Sequence, residues 1–404
     1  MANCKAITNI PELRRGNTSA VLSLIWEYRE ITRRELSEKT SLTLNTVSSI
    51  VNDLLKKKIV FISGKEGSSG GRQPDIIKFN PHVRHIIGIS LGVYRTKAVI
   101  TDLFGNKLKE FTIELTDAAE RPDILNRISK IMDILLSSIE NREKIYGVGV
   151  SFPGTVNHTT GVVMDSSIIG TGRDVNIKRY ITEKYGFQTF VENNVNLCAL
   201  NESVLGKGKT RQIVLFVYAG YGIGSGLTIN GDIYEGARDS AGNMGHIVIE
   251  PNGRKCYCGS FGCLETVASF PALFENYQRN VKMGAKADFS SIIDREFSVE
   301  AVKEIFDYAQ HGDDLALNSV KDIGLYIGIA TANLIGILNP DIVIFGGEYY
   351  EIGSLILPTI QNAVRTRAWV TIKDTELVFS DYGFDADVYG AVALVINNFK
   401  EFSF

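Results

Sequence analysis

Gly245-His246-Ile247-Val248-Ile249-Glu250-Pro251-Asn252-Gly253-Arg254-Lys255-Cys256-Tyr257-Cys258-Gly259-Ser260-Phe261-Gly262-Cys263-Leu264-Glu265 is the most informative stretch of the 404-residue chain. His246 stands ten positions before Cys256, and Cys256, Cys258 and Cys263 fall within eight residues. Three soft thiolates and one imidazole make a closed tetrahedral donor set, the usual arrangement of structural zinc. Cysteines one residue apart pair poorly with each other, because so short a loop resists disulfide geometry. Gly259 and Gly262 let the backbone fold tightly around an ion. With all four positions filled by protein, no place remains for an activated water, so the expected Zn2+ is structural. The competing reading is a set of buried reduced thiols beside an unrelated histidine. Cys4 and Cys198 complete the five cysteines. Such clustering differs from the even spread of a secreted disulfide scaffold and favours metal. Cys198 reads as a small buried hydrophobe on a helix after Asn196.

Around this stretch, 404 residues are a prior of two to four domains, and 44% hydrophobic with 22% charged residues describes a folded chain. Leu325 to Leu338 is broken by Thr331 and Asn333 and is too short to span a bilayer; it reads as a buried helix. Met1 to Arg15 shows no apolar signal region, so a soluble cytoplasmic protein without a membrane partner is expected. The net charge of -3 is unevenly divided. Residues 1–80 hold 13 Lys and Arg against 8 Asp and Glu, or +5, which leaves 30 against 38, or -8, for the rest. A basic head on an acidic body directs the head alone toward a polyanion.

That head reads as three helices and a hairpin. Val21, Leu22, Ile25 and Trp26 give helical spacing over 17–28. Thr32 with Glu35 is a capping box opening a second helix to about Lys39. Thr43 then caps a third helix to about Lys57, with Val47, Ile50, Val51, Leu54 and Leu55 inward. Its outer face carries Asn45, Thr46, Ser48, Ser49 and Asn52. Ile59 to Ile62, a glycine-rich turn ending at Gly70-Gly71-Arg72, and a strand Asp75 to Phe79 complete the order of a winged helix-turn-helix. Thr43 and these small polar residues suit both phosphates and base edges in a major groove, and asparagine can bond adenine in bidentate fashion. Arg33, Arg34 and Lys56-Lys57-Lys58 would contact the backbone, and Arg72 a minor groove. A solvated helix face with a flexible linker is the plain alternative.

After Pro81, short apolar runs at His85–Ser90, Arg95–Thr101 and Lys109–Leu115 precede an amphipathic helix through Ile124, Ile128, Ile131 and Leu135, then a strand from Tyr146 to Ser151. The order restarts at Ile213–Tyr218 and Gly226–Ile229. Two such halves predict a two-lobed α/β body with a ligand cleft between the lobes. Domains are therefore expected at 1–80, at 81–200 completed by about 380–404, and at 201–380. His82, His85, His158 and His311 lack partners at ligand spacing and read as structural or exposed.

The Gly245-His246 and Cys256-x-Cys258-Gly259-x-x-Gly262-Cys263-Leu264-Glu265 pattern resembles the signature of the ROK family of bacterial sugar kinases and transcriptional repressors. Val191 to Asn196 resembles that family's sugar-site strand end. Gly222-Ile223-Gly224-x-Gly226, with Asn230-Gly231 and Gly236, resembles its second phosphate loop, and Asn339-Pro340-Asp341 to Gly346-Gly347 its nucleotide-side strand and turn. Ser69-Gly70-Gly71-Arg72-x-Pro74 resembles the wing of its repressors, notably the xylose-repressor type. The resemblance covers essentially the whole chain. It implies an actin/hexokinase-like (ribonuclease H-like) body behind the winged helix-turn-helix. It also implies an effector pocket at Asn193, Asn194, Asn243, His246 and Glu265.

Two of those five positions depart from the family pattern: Asn194 stands where it carries Asp, and Asn243 where it carries Glu. Asn194 cannot serve as the general base, a role worth about 10²–10⁴ in rate. Ser90-Leu91-Gly92-Val93-Tyr94-Arg95-Thr96 replaces the family's Asp followed by Gly-Gly-Thr, so no acidic partner for magnesium remains there. Tyr221 stands at a usual Thr, and Gly172-Arg173-Asp174 marks an altered ligand edge. The expected protein is a repressor that binds double-stranded operator DNA as a homodimer or homotetramer. A small carbohydrate bound in a catalytically degenerate body would regulate it. The alternatives are an active sugar kinase with a regulatory DNA-binding head, and a DNA-binding repressor whose pocket is vestigial or takes a non-sugar.

Overall fold

The computed structural model describes residues 10–65, 73–115, 123–165, 169 and 174–398. Arg72 with the preceding Gly-Gly turn, Cys4, and Gly172-Arg173 lie outside the described residues. In the head, the Thr32 hydroxyl accepts the Glu35 amide at 3.3 Å, and the Glu35 carboxylate accepts the Thr32 amide at 2.8 Å. This reciprocal cap satisfies two otherwise orphaned N–H groups and opens the helix Arg33–Thr40. Thr43 caps Leu44–Lys56 by accepting the Thr46 amide. The first helix, Ile10–Tyr28, begins earlier than its apolar spacing suggested. Strands Val60–Lys65 and Glu30–Thr32 flank Asp75–Phe79 in a three-stranded sheet.

Val21, Leu22, Ile25, Leu36, Val47, Ile50, Val51 and Leu54 fill the head, while Leu55 is only half-buried. Their apolar cluster continues without a break into Ile86, Val99, Leu103, Val388 and Val392 of the body. At the joint, Trp26 meets Phe79 and Phe104 edge-on at 5.1 and 4.8 Å, and the Arg29 guanidinium lies 3.6 Å over Phe104. Aromatic edges and a stacked cation make this a specific contact rather than a greasy one.

The body contains two five-stranded sheets with one strand order. In the first, Lys107–Glu114, Arg95–Asp102 and His85–Leu91 run antiparallel, and Ile145–Phe152 and Thr189–Asn193 follow in parallel. In the second, Asp232–Ile233, Ile223–Ile229 and Ile213–Ala219 are followed by Ile342–Gly346 and Glu376–Phe379. Gly224 and Gly226 therefore lie within a strand, and the expected phosphate loop shrinks to Gly220–Gly222. Two helices fill the space between the sheets. Ala386–Asn397 returns to lie on the first sheet, and Asn194–Val204 lies against the second. The first of these helices lies close on its sheet: a Cβ on Gly149 would stand 1.9 Å from the Ala391 carbonyl oxygen, which only glycine avoids.

The apolar run Leu325–Leu338 is the end of a 25-residue helix, Asp314–Leu338. By length and composition this helix is long enough to cross a membrane, which the shorter run is not. Half of its most apolar window is buried, and it packs beside Gly353–Arg367 in the core of the second lobe.

Candidate functional site

The head presents the polar row of Leu44–Lys56 outward. Thr43, Asn45, Ser49 and Asn52 are exposed, and Thr46 and Ser48 are half-buried. Thr43 and Thr46 also share a hydroxyl contact of 2.9 Å. Arg33 is held inside the head: its guanidinium bonds Asp75 at 3.0 Å and the Asn52 side-chain oxygen at 3.4 Å. It thus braces the third helix against the hairpin. Arg34 pairs with Glu38, one turn on, in solvent. Leu44, 53% exposed at the first helical position, was not picked out from sequence; an apolar residue directly after a cap was the available signal.

In the second lobe, backbone bonds pin the cysteine loop: Cys256 N–H to the Ser260 carbonyl at 2.8 Å, and Gly262 N–H to the Arg254 carbonyl at 2.8 Å. Gly262 adopts φ +68, and a Cβ there would meet the Glu250 carbonyl oxygen at 1.6 Å. The loop brings His246, Cys256, Cys258 and Cys263 together, with all four ligand atoms within 4.8 Å of one another. Cys258 and Cys263 sulfurs lie 3.7 Å apart, and the Cys256 sulfur lies 3.7 Å from His246 Nδ1. A tetrahedral ion bonded to sulfur at about 2.3 Å and to nitrogen at about 2.0 Å requires edges of about 3.5–3.8 Å. Burial pushes the Cys256 thiol up and the Cys263 thiol up to about 12, whereas backbone N–H donation at Ser260 lowers exposed Cys258. The spacing of the four ligand atoms fits a metal, and binding one would displace the protons that burial holds on Cys256 and Cys263.

Between the lobes, Asn193 caps Asn194–Val204. Its side-chain oxygen accepts the Val195 and Asn196 amides at 2.8 and 3.2 Å, and its nitrogen donates to the Gly154 carbonyl at 2.9 Å. Asn194 is the first residue of that helix, and the next residue, Val195, faces Gly224 of the second sheet. Glu265 accepts the Ile223 amide at 3.3 Å, and burial raises its carboxyl. His246 Nε2 lies 3.3 Å from the Tyr257 hydroxyl, which also bonds Glu265. The start of the strand Ile223–Ile229 thus gathers Glu265 and His246 from one side and the Asn193–Asn194 turn from the other. Asn243 is exposed and donates to the Ser240 carbonyl at 2.9 Å, on a loop tied to the same strand through Ser225 and Gly242. Glu192, buried, accepts from the Asn193 amide and from Asn196 Nδ2, and desolvation pushes its carboxyl up to about 7.

At the other edge of the lobe junction, the carboxyls are paired with neighbouring hydroxyls. The Ser90 and Ser151 hydroxyls both donate to Asp387, a buried carboxyl that desolvation raises. The Tyr218 hydroxyl contacts both oxygens of Glu348 at 2.9 Å, and Glu348 is raised by burial as well. Tyr94 and Tyr221 meet edge-on at 6.4 Å from opposite lobes. Glu192, Tyr257, Glu348 and Asp387 were not singled out from sequence. Asp387 and Glu348 have remote partners, 297 positions away at Ser90 and 130 at Tyr218, whereas Glu192 and Tyr257 bond near neighbours in sequence.

A three-helix winged head on a body of two matching sheets, with a thiolate loop in the second lobe, defines a DNA-binding module joined to a sugar-kinase-type fold. Residues 14–60 match the winged helix-turn-helix DNA-binding model, and residues 86–398 match the ROK family model. The chain belongs to the ROK family. It is 32% identical to the xylose repressor of Bacillus subtilis strain 168 over 392 residues, 96% of this chain and 97% of that one. A solved ROK family transcriptional regulator, a homologue of the E. coli MLC protein, superposes over 96% of this chain and 97% of that one with a TM-score of 0.80 at 24% identity. The ROK glucokinase of Streptomyces griseus, solved with glucose and AMPPNP, covers 77% of this chain and 98% of its own, with a TM-score of 0.66 at 25% identity.

Proposed function

We propose that this chain is a sequence-specific DNA-binding repressor of carbohydrate-utilisation genes, with its operator affinity set by a small sugar in the interlobe cleft. The observation that carries this reading is the unbroken apolar core joining head to first lobe. Any rearrangement of the lobes is transmitted to the third helix through packed side chains rather than through a slack linker. The outer residues Asn45, Ser48, Ser49 and Asn52 read bases. Arg34 and Lys56 meet phosphates, Arg72 enters a minor groove, and Arg33 positions Asn52. The cleft takes its ligand through Asn193, Asn194, Asn243, His246 and Glu265. Zn2+ is held by His246, Cys256, Cys258 and Cys263, where it fixes the loop that carries Tyr257 and presents His246.

The division is a reader of residues 1–80, a first lobe of 81–200 completed by 380–404, and a second lobe of 201–380. Two copies in the cytoplasm place two heads on half-sites about one helical turn apart. The chemistry argues against phosphoryl transfer: Asn194 holds no proton-accepting carboxylate, and Asp387, Glu348, Tyr94 and Tyr221 occupy the phosphate edge. Xylose is the first ligand to try, since relatives bear that name.

Fluorescence anisotropy with the DNA upstream of the protein's own gene tests this. Affinity should fall roughly 10³–10⁵-fold between 50 and 200 mM salt if six to ten phosphates are engaged. A saturating sugar should shift it by a coupling of about 1–3 kcal/mol. Salt-insensitive or absent binding would sink the proposal. ADP release above roughly 1 s⁻¹ with any sugar would return the chain to the kinases.

A further inference from the structure

One more set of ligand-forming side chains converges away from the cysteine loop. His158 stands on the turn after the strand Thr155–Asn157, and Glu235 and Asp239 stand on the loop after the strand Asp232–Ile233. His158 Nδ1 lies 3.2 Å from a Glu235 oxygen and 3.2 Å from an Asp239 oxygen. All three ligand atoms lie within 4.8 Å of one another. Val156 packs in the core of the first lobe, whereas Asp232–Ile233 is the edge of the second sheet. The three side chains therefore bridge the lobes.

Their geometry has room for a cation. His158 Nε2 is 3.1 Å from the Thr159 hydroxyl. When the hydroxyl accepts Nε2–H, Nδ1 presents a lone pair toward two carboxylate oxygens, and three acceptors facing one point repel one another. A proton on Nδ1 serves Asp239, the hydrogen-bonded partner at 3.2 Å, and leaves Glu235 at the same distance without such a bond. An ion with metal–ligand bonds of about 2.1 Å instead requires edges of about 3.0 Å in an octahedron and 3.4 Å in a tetrahedron, and the observed 3.2 Å lies between.

The surroundings support the set as well. Asn157 Nδ2 lies 3.3 Å from the second Asp239 oxygen, while Asn157 Oδ1 accepts the Thr160 amide at 2.9 Å and so fixes the turn. Outer bonds of this kind are what orient metal ligands. The Lys178 ammonium bonds the Thr159 carbonyl, not the carboxylates. His158, Glu235 and Asp239 side chains are 39%, 32% and 22% exposed, which admits an ion with its remaining waters. The site adjoins the Asn193 turn, because Asn193 holds the Gly154 carbonyl directly before the strand Thr155–Asn157 that leads to His158.

We propose that His158, Glu235 and Asp239 form a second, lobe-bridging site for a first-row divalent cation at the mouth of the cleft. One imidazole and two carboxylates suit manganese-like ions, whereas thiolates select softer zinc, so the two sites are chemically separable. A divalent ion balances the two carboxylate charges and ties the lobes together when the cleft is closed. This inference does not depend on the repressor reading, since it concerns the ion alone.

The test is a Mn2+ titration of the full-length, zinc-loaded protein, followed by the loss of the free-manganese electron paramagnetic resonance signal. One Mn2+ per chain should bind with a dissociation constant below about 1 mM. His158→Ala and Asp239→Asn should each weaken binding at least tenfold, with zinc content and melting curve unchanged. The near-isosteric Glu235→Gln guards against a folding artefact and should do the same. No bound Mn2+ at about 1 mM would leave the three residues as a histidine ion pair and overturn the proposal. Binding unchanged in all three variants would place the ion elsewhere and overturn it equally.

Discussion

The two edges of the interlobe cleft are built from sheets of one strand order, yet they carry opposite chemistry. Both place functional groups at the carboxyl ends of parallel strands, where open α/β sheets usually bind ligands. At the Asp387 edge, every polar group described above is consumed by a neighbour: two serines by one carboxyl, a tyrosine by Glu348, and Tyr94 against Tyr221. At the Asn193 edge, the polar groups are held in place from behind, by helix caps, by the cysteine loop and by Tyr257. A shared topology therefore brings functional groups to both edges, and the side chains decide whether they are paired with one another or held from behind.

The largest perturbation of this contrast is at the cysteine loop. Cys263→Ser should lower bound metal from one ion per chain to near zero, by elemental analysis, and reduce the melting midpoint by roughly 10 °C. His246 would lose its anchor, so the Asn193 edge should fail while the Asp387 edge stays intact. An unchanged midpoint with metal lost would show that the loop is not what organises that edge.

Glu192→Gln comes next. Folding raises this carboxyl from 4.5 to about 7, because burial penalises its charge. The folded state thus holds the proton more tightly. Its contribution is fully present below pH 4.5 and is lost as pH rises through 7, at a cost of about 3 kcal/mol by pH 8. The glutamine variant should be the more stable protein at pH 8 and should flatten the melting profile between pH 4.5 and 7. Glu202, Glu348 and Asp387 are raised as well and keep their share of the slope in both proteins. Parallel profiles for variant and wild type would show that Glu192 is not buried as a proton-holding group.

These residues also separate what was legible in the sequence from what was not. The caps at Thr32 and Thr43, the inward face Val47–Leu54 and the cysteine loop are local, so spacing alone reveals them. The repeated strand pattern showed two lobes for the same reason. The three-residue strand Glu30–Thr32 escaped notice because it exists only through pairing with Asp75–Phe79. Gly224 and Gly226 read as loop residues, but they are strand residues that make room for the helix at Val195 and Asn196. His158 looked solitary because Asp239 lies 81 positions away. Long-range pairs of single residues leave no period to detect.

A smaller effect is expected from restoring charge at the Asn193 edge. Asn194→Asp places a carboxylate at the first position of a helix, where the dipole favours its ionised form. A charge-assisted bond to a sugar hydroxyl should then tighten hexose binding about tenfold by calorimetry. If neither protein binds any sugar, the cleft is not a carbohydrate site.

The smallest effect distinguishes scaffold from ligand contact at Asn193 itself. Its oxygen caps a helix and its nitrogen holds the Gly154 carbonyl, so Asn193→Ala should cost about 1 kcal/mol in a denaturant melt. Asn193→Asp keeps an accepting oxygen for Val195 and Asn196 but supplies no donor for Gly154. The aspartate should therefore recover most of the melt. Recovery of stability without recovery of sugar binding would assign the amide nitrogen to the ligand or to the turn that carries Gly154. An aspartate as unstable as the alanine would show that the cap contributes nothing. In that case the bond to Gly154 would hold the edge in place.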